Sequence, residues 1–363
     1  MLVSTSCSRE GSEQYLFVGT YAKASDAGIY LYRFNTEDGS ATLVQAVSGI
    51  ENPSYLALDK GGQLLYSVSE TEAPGGKVYA CSFDRKTAEI RLVDKKETGG
   101  GGPCFIWVDS RRRLAVTANY AGGSVSAFPL SATGELGAPL VFSYGGGTPG
   151  AARQDAPHLH CIYASPDEKY LYANDLGTDR IYKYDLLPEA SGGLTIRAGQ
   201  PPFFSLPAGE GPRHTVFHPE GKYAYLIGEL SGRVAVLKYD DGDLLPVEHV
   251  EADTLHAAGS ADIHATPDGR FLYASNRLKG DGLAIFAIDR ASGRLVKTGF
   301  QPTGMHPRSF VISPNGKFLL CACRDANVIQ VFAIDKQSGR LKNLRKDISV
   351  SRPVCLKFDE HQP

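Results

Sequence analysis

No apolar stretch in the 363 residues approaches the length of about 20 that spans a bilayer as a helix, so no membrane span is expected. Charge of one sign is not in excess either. Lys and Arg number 38 against 40 Asp and Glu, and a formal net charge of −2 makes no electrostatic case for nucleic acid or an acidic membrane surface. Methionine is scarce, at two residues, while Gly (40), Pro (21) and Tyr (18) abound; that balance favours many short strands and tight turns over long helices. The seven cysteines include no CxxC pair, and most lie in apolar runs, so they read as buried reduced thiols. Cys321 and Cys323 share one side of a strand, but no second ligand pair at zinc-site spacing follows. There is no G-x-S-x-G elbow, no Walker loop and no dinucleotide fingerprint. Neither a metal nor a cofactor is expected.

What is present is a repeat. A turn and an apolar strand recur in SPDEKYLYAN, HPEGKYAYLI, TPDGRFLYAS and SPNGKFLLCA, more weakly in DKGGQLLYSV and DSRRRLAVTA, and without the turn in SEQYLFVGT. Their alignment superposes Phe17, Tyr66, Val116, Tyr172, Tyr225, Tyr273 and Leu320, at successive intervals of 47 to 56 residues. Seven units near 50 residues match the period of a propeller blade of four antiparallel strands. Each unit reads Pro-x-x-apolar (PSYLAL, PCFIWV, PRHTVF, PRSFVI), the turn and second strand, a third strand such as RIYKYDL, then a Gly-Arg-Leu or Gly-Glu-Leu turn into the outer strand. The chain enters at a second strand and ends with one first strand left over, PVCLKF. That strand should complete the first blade and close the ring. The expectation is an all-β, seven-bladed β-propeller forming one domain over residues 15–360, behind a disordered tail of residues 1–14.

In a blade the first strand lines the central channel, and the second runs back beside it. First-strand starts and second-strand ends therefore meet on one face near the axis. The starts carry His158, His160, Arg213, His214, Asp262, His264 and Arg308; the ends carry Glu70, Asn119, Tyr120, Asn174, Asp175, Glu229, Asn276, Arg277 and Arg324. Turn chemistry accounts for Asn and Asp at such places but does not call for arginine. A concave cluster of Arg and His with interspersed carboxylates suits a small anionic ligand, because Arg donates bidentately to phosphate or carboxylate and His or Glu can move a proton. A spacing of two puts His158 and His160 on one side of a regular strand. The glycine runs GGGGP (Gly99 to Pro103) and GGGTPG (Gly145 to Gly150) read as lids or connectors over the same face.

APHLHCIYASPDEKYLYANDLGTDRI, GPRHTVFHPEGKYAYLIGEL and SADIHATPDGRFLYASNR resemble matching segments of the seven-bladed propeller lactonase family, from about Tyr15 to Phe358. That family includes propeller-type 6-phosphogluconolactonases and resembles the carboxymuconate lactonizing enzymes. The resemblance implies a metal-independent lactonase acting on a phosphorylated sugar lactone, most readily 6-phospho-D-glucono-1,5-lactone, in the pentose phosphate pathway. In the cycloisomerase branch the functional positions are a histidine, two arginines and a glutamate; matched here they are His158 or His160, Arg213, Arg277 and Glu229. On this reading Arg213, Arg277 and Arg308 bind phosphate and stabilise the oxyanion, and His158, His160 or Glu229 activates water. Asp175 orients the histidines, and His214, Asn119 and Asn276 line the substrate. Activity should fall on the acid side as one group titrates in roughly the pH 5 to 7 range. The alternatives are cycloisomerisation of a carboxylated muconate, and a non-catalytic ligand-binding propeller. A cytoplasmic protein is expected; a start further upstream would instead make it an exported lipoprotein anchored at Cys7. The oligomeric state is not readable.

Overall fold

A computed structural model of the chain describes residues 13–359 apart from 73–74, 112 and 191. Among the described residues there is no helix; the chain forms seven antiparallel sheets. Blade four is representative: Leu159–Ala164, Tyr170–Asp175, Arg180–Pro188 and Leu194–Ser205 pair in sequence order. In blade seven the outer edge is split, with Leu341–Asn343 and Ile348–Ser349 both pairing with Val328–Ile334. Each first strand touches the first strands of both flanking blades, all the way round. The closure expected from PVCLKF is present: Pro353–Phe358 pairs with Glu13–Thr20, so one sheet contains both ends of the described chain. That first blade begins at Glu13, two residues before the expected boundary, and the remainder of the tail, Cys7 included, lies outside the described residues.

The aligned repeat positions form the centre of the core. Phe17, Tyr66, Val116, Tyr172, Tyr225, Tyr273 and Leu320 all have zero exposure. Burying a phenol requires a partner for its hydroxyl, and four tyrosines find it in the neighbouring blade. Tyr66, Tyr172, Tyr225 and Tyr273 donate to the carbonyls of Gly134, Gly242, Gly293 and Gly339, at 2.7 to 3.1 Å. Each of these glycines opens the turn into an outer strand with φ between +70° and +94°, a region costly for other residues. Six cysteines, Cys81, Cys104, Cys161, Cys321, Cys323 and Cys355, are buried free thiols as expected.

Two positions of the blade build the channel mouth. Where the first strand starts, blades three, four, five and seven carry a β-bulge whose extra residue is Cys104, His160, Arg213 and Arg308 respectively. A bulge re-aims one side chain without disturbing the strand beyond it. Immediately after the second strands come Tyr21, Glu70, Tyr120, Leu176, Glu229, Arg277 and Arg324, in blades one to seven. The expectation that His158 and His160 share one side of a regular strand is corrected by the bulge: the register slips between Leu159 and Cys161, and His160 is the slipped residue.

Candidate active site

A pocket of about 170 Å³, open to solvent, lies at this mouth. Cys104, His160 and Arg308 reach it from bulges, and Tyr21, Glu70, Tyr120 and Glu229 from the ends of second strands. The remaining wall residue, Arg153, comes from the loop joining blades three and four.

The arginines differ in how far they are engaged. Glu229 is the hub: its Oε2 accepts from Nε of Arg213 at 2.8 Å, and its Oε1 accepts from Nη2 of Arg277 at 2.7 Å and from Nη2 of Arg153. Arg213, only 1% exposed, also donates to the Ala261 carbonyl at 2.6 Å, and Arg277 donates to the Gly259 carbonyl at 2.6 Å. Burial alone would raise the pKa of Glu229, but Arg277, Arg213 and Arg153 outweigh it and hold the carboxyl below the usual carboxylate range. A carboxylate so held is a poor proton acceptor and a firm clamp. Arg308 is the opposite case. Its guanidinium lies 5.3 Å from the Tyr21 ring centroid and 4.0 Å from Glu70, and among the described residues it makes no hydrogen bond. Tyr21 donates to both Glu70 oxygens, at 3.1 and 2.9 Å. Burial keeps that phenol protonated.

His160 stands between these groups. Its Nδ1 is 3.8 Å from the Cys104 thiol, and its ring meets Tyr120 edge to face at 5.6 Å and His214 at 5.3 Å. Burial, then Arg213, His214 and Arg308, push its pKa well below that of free imidazole, so the ring is neutral at neutral pH. Burial likewise pushes the Cys104 thiol up, and it stays protonated. His214 is held by Asp262, whose Oδ1 lies 2.8 Å from Nδ1, yet burial and Arg213 still bring it down to about 4.

Other expected site residues are placed elsewhere. His158 stacks on Tyr120 at 4.4 Å, with Nδ1 3.0 Å from the Tyr120 carbonyl, outside the pocket wall. Asp175 does not orient an imidazole. Its carboxylate accepts from the backbone N–H groups of His158 (2.7 Å) and Gly177 (3.0 Å) and from the Thr178 hydroxyl, which closes a turn. Asn119 and Asn276 are buried outside the pocket wall: Asn119 bonds Ser124 and Ser126 inside blade three, and Asn276 bonds Ser260 and the Ala252 carbonyl. Arg213 and Arg277 are one layer behind the pocket wall, facing Glu229. Sequence reasoning missed Tyr21, Cys104 and Arg153 as wall residues. The alignment of PCFIWV with PRHTVF and PRSFVI contained the signal for Cys104, since the bulge residue follows the proline in each.

Comparison with known proteins gives the same architecture. The family model described as "Lactonase, 7-bladed beta-propeller" matches residues 15–358, so the chain belongs to that family. The 6-phosphogluconolactonase of Formosa agariphila is 36% identical, over 94% of this chain and 99% of its own. A Bacteroides fragilis structure, assigned as a candidate 6-phosphogluconolactonase, is 45% identical over 97% of this chain and 99% of its own, with a TM-score of 0.93. The periplasmic gluconolactonase of Pseudomonas aeruginosa superposes with a TM-score of 0.90 at 33% identity, covering 97% of this chain and all of its own.

Proposed function

We propose that this protein hydrolyses 6-phospho-D-glucono-1,5-lactone to 6-phosphogluconate, the activity for which its relative in Formosa agariphila is named. The observation that supports this reading best is the pairing of a neutral imidazole, His160, with a guanidinium that makes no hydrogen bond among the described residues, Arg308, in one pocket. His160 takes a proton from water as the water oxygen bonds to the lactone carbonyl carbon. Arg308 donates to the oxyanion that forms there. The ring ester bond then breaks, its oxygen leaving with the proton from the imidazolium, and the product acid ionises. Glu229 takes no part in proton transfer; it fixes Arg213 and Arg277, and the positive charge of Arg213 adds to the burial that keeps His160 neutral. An anionic substrate offsets that charge on binding and raises the basicity of the ring when it is needed.

The test is a dehydrogenase-coupled assay, corrected for spontaneous opening, on His160→Gln and His158→Gln. Loss of a general base costs about 10²-fold or more. That loss is expected for His160→Gln, with His158→Gln far less affected. A full rate in His160→Gln would move the base to Glu70, the pocket carboxylate whose single hydrogen-bonding partner among the described residues is Tyr21.

A further inference from the structure

Seven of the eight wall residues come from two repeated blade positions, and Arg153 is the exception. Its backbone is left-handed, with φ +66°, a conformation uncommon for a residue with a side chain. The next residue anchors the loop: Nε2 of Gln154 donates to the Leu176 carbonyl and to Asp179, both at 2.9 Å. In the preceding glycine run a Cβ on Gly145, Gly146 or Gly150 would meet little or nothing within 4 Å, whereas one on Gly147 would lie 2.5 Å from the Asp155 backbone. The side chain crosses the mouth to Oε1 of Glu229 and the Ala258 carbonyl.

Glu229 does not need this third arginine. Arg213 and Arg277, with side chains 2% and 5% exposed, already engage both of its oxygens, whereas Arg153 is 39% exposed. Counting charges at the mouth and directly behind it, Arg153, Arg213, Arg277 and Arg308 face three carboxylates, Glu70, Glu229 and Asp262, which leaves one positive charge in excess. A phosphate monoester brings a charge of roughly −1.5 to −2. It is also strongly hydrated, so it is placed at lower cost on the half-exposed rim than on the inner wall beside Arg308.

We infer that Arg153 is the phosphate-binding residue: it releases Glu229, takes the substrate's 6-phosphate at the rim and closes the pocket over the lactone. This inference rests on the lactonase reading and deepens it. Arg153 then sets the preference for a phosphorylated over an unphosphorylated lactone, and Glu229 serves as its resting partner while the site is vacant.

The test has a kinetic and a binding arm, with Arg153→Gln and Arg153→Lys beside the parent. The ratio of kcat/KM for 6-phospho-D-glucono-1,5-lactone to that for D-glucono-1,5-lactone is expected to fall by about 30-fold in Arg153→Gln, mostly through KM, as for a lost charge-assisted contact. Arg153→Lys should restore part of it. By calorimetry the parent should bind 6-phosphogluconate more tightly than gluconate, and Arg153→Gln should lose that preference. An unchanged preference in Arg153→Gln overturns the inference, as does a parent with no preference for the phosphorylated ligand. If the parent turns over neither lactone, the lactonase reading fails, and the binding arm still decides the role of Arg153.

Discussion

Whether a buried arginine is engaged decides what its removal does. Arg213 donates to Glu229 and to the Ala261 carbonyl, in surroundings that leave it 1% exposed. Arg213→Ala removes one partner of a buried carboxylate, a change that typically costs about 3–5 kcal/mol. Arg308, which makes no hydrogen bond among the described residues, should cost less stability and more activity when removed. Thermal unfolding and kcat/KM measured on both variants check this: the larger fall in Tm belongs to Arg213→Ala, and a loss of roughly 10²-fold in rate at near-parental Tm belongs to Arg308→Ala. Equal Tm losses would put the two arginines in one role. At this scale what the sequence could predict was position along the blade. His160, Arg213, Glu229, Arg277 and Arg308 all sit where strand ends converge. It could not show which arginines face the pocket and which face Glu229, because that depends on contacts between blades far apart in the chain. It also misread Asp175, since an aspartate that closes a turn and one that orients an imidazole occupy the same strand end.

Strands and turns were far more legible, because a blade must repeat the same solutions. The repeat fixed the seven second strands, and their aligned residues are the fully buried centre of each blade. The bulges were not visible: a bulge adds one residue without altering the apolar pattern that follows. The Gly-x-Leu turns show how local and inter-blade requirements coincide. Gly293 has φ +70°, a Cβ placed on it would lie 2.4 Å from the Tyr223 ring, and its carbonyl accepts from the Tyr225 hydroxyl at 3.1 Å. Gly293→Ala therefore combines backbone strain of about 1–2 kcal/mol with overpacking of about 1–3 kcal/mol. Tyr225→Phe removes one hydrogen bond, about 1 kcal/mol. Chemical denaturation should rank Gly293→Ala as the more damaging; the reverse order would mean that the hydrogen bond, not the turn, secures the blades.

Seven sheets closed by Pro353–Phe358 put every first strand around one axis, and the site exists only because the ring closes. Tyr21 of blade one and Arg308 of blade seven meet across that closure, at 5.3 Å. A nearly neutral chain thus concentrates four arginines at one mouth, and the field they create acts on the imidazoles buried among them. His214 is brought down to about 4 and His306 to about 3, in both cases by burial first and by arginines second. His160 moves the same way, which revises the acid limb expected from an ordinary histidine.

The pH dependence of kcat/KM for D-glucono-1,5-lactone, which has no phosphate to titrate at about pH 6, reports this directly, since kcat/KM reflects ionisations of the free enzyme and the free substrate. A base works only when unprotonated, and a lowered pKa moves protonation to lower pH. Catalysis by His160 therefore predicts a rate that holds as the pH falls through about 6.5, the value for free imidazole, declines only well below it, and loses that limb in His160→Gln. An acid limb at or above pH 6.5, or one that persists unchanged in His160→Gln, would contradict it.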